Sequence, residues 1–137
     1  MVAATKFHQV VEDKEEGVYT SSTDQFTVAL CTHANIPVVT NTVLANLTEI
    51  AYTNLSSRNI TTSSSGQTTG TFTQLFTDLV LTASGAVATF RHVIIYNNTP
   101  SSPLDPLVFW FDYGSDLTLA SGETLTLDWT TSSWTVV

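Results

Sequence analysis

The sequence predicts an all-β protein: a single antiparallel β-sandwich, jelly-roll or Ig-like, spanning 1–137, with a short N-terminal helix or arm at 1–17. Three observations lead to that fold class. Polarity comes mainly from Thr, Ser and Asn, and charged residues make up 12% of the chain, about half of the ~25% usual in globular domains. Threonine is β-branched and suits a half-buried pleated surface. Short apolar segments recur with turn residues every ~8–12 positions, the rhythm of a sandwich or barrel. Helical and strand-like patterns do not alternate, so a parallel α/β sheet is not expected. A length of 137 residues suits one domain and buries roughly two-thirds of the unfolded surface.

The first segment is the best helix candidate. Phe7, Val10 and Val11 recur at i, i+3 and i+4 among polar residues. Thr5 is the expected cap and Gly17 the expected stop. Between them lies Glu12-Asp13-Lys14-Glu15-Glu16. Acidic residues at a helix C-terminus oppose the macrodipole, so a short helix needing a partner surface is expected. The plain reading of that run is a solvated face; the sharper one is an arm docking on a neighbouring subunit.

Asp24 to Thr32 reads as a strand with Phe26, Val28 and Leu30 on one face. His33 to Asn54 is less regular. Val43, Leu44 and Leu47 fall at helical spacing, so an ordered loop around a short helical turn is expected there. TTSSSGQTT at 61–69 reads as an exposed, mobile loop. Phe72 to Thr82 is one long strand or two joined at a bulge, because alternation slips at Leu75-Phe76. Ala83-Ser84-Gly85 is a turn.

Val87 to Tyr96 is rich in β-branched and aromatic residues and is a strand. The Pro-rich stretch Asn97 to Pro106 cannot continue it. Leu107 to Tyr113, LVFWFDY, is so apolar that both faces must be covered. The opposite sheet is the expected cover for one face and a subunit contact for the other. On strict alternation Phe109, Phe111 and Tyr113 share one face, and Val108, Trp110 and Asp112 the other. Gly114-Ser115-Asp116 turns the chain. Leu117-Thr118-Leu119 and Thr124 to Trp129 read as strands flanking a hairpin-like Ala120-Ser121-Gly122-Glu123 turn, where Gly122 can take positive φ. Trp134 to Val137 reads as a last edge strand.

Charge narrows the function classes. The net charge is −8, with only Lys6, Lys14, Arg58 and Arg91 basic. Nucleic acid and anionic membrane surfaces both need clustered Lys and Arg, so neither is an expected partner. A lone cysteine, Cys31, allows no internal disulfide. The N-terminus has no apolar core of a secretory signal, and no stretch approaches the ~20 apolar residues of a helical span. Synthesis in a cytosol is expected, and the Asn-x-Ser/Thr sequons then carry no meaning.

Chemistry is sparsely marked. Cys31 and His33 sit two apart, but a thiol nucleophile needs a base and an oxyanion site, and zinc needs two more ligands. The bland reading has Cys31 as a small buried hydrophobe. Asp112 and Asp116 flank Gly114, with Asp105, Glu123 and Asp128 as further oxygen donors, but the spacing fits no full calcium loop; a capped turn is expected. A glycosidase-like carboxylate pair has no buried and exposed partner to mark it. Phe109, Trp110, Phe111, Tyr113, Trp129 and Trp134 could present a sugar-stacking platform, but core and interface packing is the commoner use. Arg91 is expected to form a specific ion pair, within the fold or across an interface. No catalytic residue, cofactor or metal is expected, and the chain does not read as an enzyme.

From Arg91 to Asp128 the pattern is distinctive. An apolar strand ends in Ile95-Tyr96-Asn97-Asn98. A Pro/Ser loop leads to Pro106-Leu107, an aromatic strand ends in Asp112-Tyr113-Gly114, and Leu117-Thr118-Leu119-Ala120-Ser121-Gly122-Glu123-Thr124-Leu125-Thr126-Leu127 follows. This resembles small virion structural proteins, decoration- or cement-like, of tailed bacteriophages. The amphipathic start, the strand FTVALC and the loop reaching Leu47-Thr48-Glu49-Ile50 resemble the family too. The resemblance implies a particle component from head, neck or tail, assembled in the host cytoplasm, and no catalytic residues.

Together these readings lead to an expected capsid decoration protein that binds the major capsid protein or other virion proteins. It would act as a homo-oligomer, with a trimer the leading expectation because cyclic symmetry closes an assembly. Phe7, Val10, Val11, Arg91, Phe109, Trp110, Phe111 and Trp134 are the expected interface residues. A neck, tail or fibre component is the alternative within the particle, and a carbohydrate-binding module the alternative outside it.

Overall fold

A computed structural model describes residues 4–129 and the backbone of 134–136. Its strands are β1 Thr5–Lys6, β2 Phe26–Cys31, β3 Asn59–Ile60, β4 Thr62–Thr68, β5 Thr71–Phe76, β6 Leu79–Thr82, β7 Phe90–Asn97, β8 Leu107–Leu117, β9 Thr124–Leu127 and β10 Trp134–Val136. One α-helix, α1, spans Gln9–Glu15, and single 3-10 turns lie at His33–Asn35 and Leu44–Asn46. The fold is all-β and sandwich-like. The main sheet has the order β1-β8-β7-β2-β3, and two smaller sheets, β10-β5-β4 and β6-β9, accompany it. All strand pairs are antiparallel.

The main sheet is buried on both faces, because β2, β7 and the first half of β8 carry apolar side chains at nearly every position. On the first face Phe26, Val28, Leu30, Val93, Ile95, Phe109 and Phe111 pack with Phe76, Leu81 and Leu127 from the smaller sheets. Trp129 closes this core, its ring 5.6 Å from Phe76 and 5.9 Å from Phe111. On the second face Ala29, Cys31, Ile94, Tyr96, Leu107 and Trp110 pack with Phe7, and with the half-buried Val39, Leu44 and Leu47.

That second cover corrects the expectation of a subunit contact: the chain supplies it itself. β1 pairs with β8, Thr5 opposite Trp110 and Lys6 opposite Phe109. The Phe7 amide then donates to Val108 O at 3.1 Å, and the His8 amide to Val39 O at 2.9 Å. Thr5 therefore lies in a strand instead of capping the helix, and His8 occupies the N-cap position without a side-chain cap bond. Gly17 does end the helical segment, with φ +77. Val10 packs into the first core, whereas Val11 stays 44% exposed.

Strict alternation along β8 fails at one residue. Ile95 pairs with Phe109 and Tyr96 with Leu107, so Val108 is an extra residue on β8. A bulge lets two successive side chains lean the same way, and Val108 joins Phe109 in the first core while Leu107 and Trp110 meet in the second. Beyond His92–Asp112 the register breaks again, and the next pair is Phe90–Leu117. Gly114, at φ +95, lies in this excursion of β8, where the sequence suggested a turn between separate strands.

Two more expectations change. The 61–69 stretch is exposed but ordered into β4, which forms a hairpin with β5. Its turn residues Thr69 and Gly70 have φ +50 and +82, as a two-residue type I′ turn demands. β9 pairs with β6 rather than with 117–119. The Ala120–Glu123 turn forms as read, with Gly122 at φ +85, but it docks on Ala83: the Gly122 amide donates to Ala83 O at 2.7 Å. The 72–82 segment is two strands in different sheets, broken at Thr77-Asp78. The 3-10 turn Leu44–Asn46 falls where a helical turn was expected.

Candidate functional site

Pairing of β2 with β7 and of β7 with β8 aligns Cys31, His92 and Asp112 in one row across the sheet. Paired residues point to the same face. His33, on the 3-10 turn just after β2, reaches the same place, and its Nδ1 lies 3.2 Å from His92 Nε2 with the rings stacked. Sequence reading kept these histidines on separate elements, because the β2–β7 register is a long-range fact. His8 stays apart at the start of α1.

The row is built for packing more than for reaction. Burial, reinforced by the Glu49 charge, pushes the Cys31 thiol up to about 12, so it stays protonated at neutral pH. Burial also lowers the pKa of His92, which is 1% exposed and whose Nδ1 has no hydrogen-bond partner. The tautomer that fits has His92 Nε2–H donating to His33 Nδ1. The unpaired His92 Nδ1 is then a bare acceptor, cheaper to bury than an unpaired N–H. Among the described residues, no group of three or more His, Cys, Asp or Glu side chains is placed to hold a metal ion.

Arg91 forms its ion pair inside the fold. Its Nε and Nη2 donate to Asp112 Oδ1 and Oδ2 at 2.7 and 3.1 Å. Asp112 Oδ1 also accepts from the Gly114 amide at 2.8 Å. The guanidinium, followed by that amide bond, holds the Asp112 carboxyl down at about 2. Asp112 is thus a turn cap and ion-pair partner, with its oxygens committed.

Of the other expected interface residues, Phe7, Val10, Phe109 and Phe111 lie in the fold's own interior, and Trp110 is 9% exposed against Phe7, the ring centroids 4.5 Å apart. Their sequence signal was real apolarity, but the same chain satisfies it. Trp110 is therefore not a sugar-stacking platform. Val11 remains at the surface. The backbone of Trp134 pairs with Gln74 in the edge strand β10, as the sequence suggested; its side chain lies outside the described residues.

Several fixing contacts carried no sequence signal beyond residue type. Buried Asn97 donates to Asp24 Oδ2 at 2.6 Å, and Thr20 N–H donates to the same oxygen at 2.7 Å. Arg58 donates to Val28 O and lies 3.5 Å over the Tyr52 ring, while Tyr52 O–H donates to Glu49. These bonds tie loops to the main sheet.

A cleft of about 430 Å³ lies beside β9. Val93 and Phe111, a cross-strand pair, line it together with Leu125 to Asp128. Tyr113 also lines it and is 47% exposed. Comparison of the chain with family models, curated proteins and solved structures returned no match.

Proposed function

We propose that this chain is a structural virion protein of a tailed phage, a capsid decoration protein that stabilises the head shell through added contacts. The observation that carries the reading is the Arg91–Asp128 pattern and its resemblance to small virion proteins. In the fold that pattern runs from β7 and β8 of the main sheet to β9, which pairs with β6. A low-charge, hydroxyl-rich surface supports it, since hydroxyls cost less to desolvate at a contact than charges. Exposed Ile36, Val38 and Leu104, with Val11, add apolar surface on segments outside the main sheet. The mechanism is linkage: a protein that binds the assembled shell and not its dispersed subunits stabilises the shell by mass action. The partner is the major capsid protein, and the working form is a homo-oligomer, a trimer first.

The test is co-sedimentation of purified protein with undecorated capsids, together with the heat resistance of the particles. Saturable binding and a raised disruption temperature are expected. Binding to tails or necks and not to shells would move the assignment to a neck, tail or fibre component. Binding to none of these particles would refute both.

A further inference from the structure

The cleft beside β9 joins two features that each invite a partner. The first is an unused strand edge. β9 pairs with β6 on one side, and among the described residues no strand takes its other side. An open edge offers unpaired N–H and C=O groups to another chain. The second is an apolar recess directly alongside: the same β9 residues line a cleft with Val93 and Phe111. Strand addition gains affinity from the backbone ladder and specificity from pockets that take alternate side chains.

The charge of the site selects the occupant. Asp128 lines the cleft and is exposed. Asp112 is neutralised by Arg91. A second copy of the chain is a poor complement. It carries the same net charge of −8, and of its four cations Arg91 is bound to Asp112, Arg58 is stacked on Tyr52 and Lys14 lies 4.1 Å over Phe72, which leaves exposed Lys6 on β1. We propose that the β9 edge and its cleft dock an extended segment of another protein, with an apolar side chain entering the cleft and a flanking Lys or Arg facing Asp128. The proposal stands whether or not the partner is a capsid shell.

The probe is a blocked pentapeptide of alternating lysine and leucine, titrated into the ¹⁵N-labelled full chain and followed by amide shifts. Saturable shifts confined to 111–113 and 125–128 are expected. A glutamate-for-lysine peptide should give none, and N-methylation along one peptide edge should abolish binding. Asp128→Lys should weaken binding at least about threefold, from reversal of one exposed charge contact. Tyr113→Ala should weaken it similarly, and unchanged urea midpoints would show that both variants fold. Four results would overturn the proposal: no saturable shifts; shifts spread over the acidic surface and indifferent to Asp128→Lys; equal binding by a lysine–glycine peptide; or concentration-dependent shifts at these residues without peptide, which would make a second copy the occupant.

Discussion

Replacing Phe7 with Ala tests who covers the second face of the main sheet. Phe7 is fully buried, its ring lies 4.5 Å from that of Trp110, and its amide bonds to β8. Burying a Phe removes roughly 150–250 Å² from water, which at about 25 cal/mol per Å² is some 4–6 kcal/mol. Core Phe→Ala substitutions cost about 3–5 kcal/mol, so a loss of about 4 kcal/mol is expected. Because the cover belongs to the same chain, the loss must not depend on protein concentration. Urea unfolding at two concentrations a decade apart measures both quantities. With a slope of ~1.5–2 kcal/mol per M, the midpoint should fall by about 2–3 M, equally at both. Phe7→Leu, which keeps apolar volume and loses the ring contact, should cost about 1–1.5 kcal/mol. Val11→Ala, on the exposed side of α1, should stay within about 0.5 kcal/mol. A Phe7→Ala loss under about 1 kcal/mol, or one that grows on dilution, would refute the own-chain cover and restore the subunit arm.

Three other predictions follow from local geometry. His92 has a folded pKa below its unfolded value, so the unfolded state binds more protons below about pH 6.5; its stabilising contribution is intact above that pH and is lost as pH falls through the folded pKa. Urea midpoints at pH 7.5 and 5.5 should therefore differ more in the natural chain than in a His92→Leu variant, and equal differences would exclude the effect. In the β4–β5 turn, Thr69 is a β-branched residue at φ +50; Thr69→Asn should stabilise by about 0.5 kcal/mol, and Gly70→Ala, where an added Cβ meets nothing, should destabilise by about 1 kcal/mol through conformation alone, both read from thermal melts. The Arg91–Asp112 pair is exposed, so Asp112→Asn should matter less in 1 M salt than in dilute buffer. Asp112 has a depressed pKa, so its contribution is present above about pH 4 and lost as pH falls toward 2, and urea midpoints across that range would show it.

What the sequence made legible was period. Phe26, Val28 and Leu30 announce a strand with one buried face, and the structure puts all three in one core. Gly17 and Gly122 mark ends and turns, and both take positive φ. What it hid was pairing. The Ala120–Glu123 turn looked like a hairpin connection because hairpins are the short-range default, yet β9 pairs with β6, more than forty residues back. The same blindness separated His33 from His92 and Asn97 from Asp24, whose contacts exist only once the β2–β7 register is set. The Val108 bulge has no residue signature, so strict alternation places Val108 on the opposite face from Phe109. The 61–69 stretch reads as a loop because Ser, Thr and Gly suit a loop as well as an exposed edge hairpin, and backbone pairing, not side-chain burial, orders it.

The apolar strand at 107–113 carries the wider lesson. Its composition states that both faces are covered, and it does not state by what. Here Phe7 and the 39–47 segment provide the cover, so the strand's apolarity is spent within one chain. The assembly role proposed above would then rest on surface that composition does not advertise: a strand edge, a few exposed apolar side chains, and hydroxyls that desolvate at low cost. Charge sets the terms of that association. Twelve acids face four bases, and Arg58, Arg91 and Lys14 are engaged inside the fold, so the outward field is acidic. Such a field accelerates encounter with a basic partner and is screened beyond about 10 Å at 0.1 M salt. Association with a basic partner should therefore slow markedly as salt rises while dissociation changes little. A rate constant for association that ignores salt would show that the contact is made through apolar surface alone.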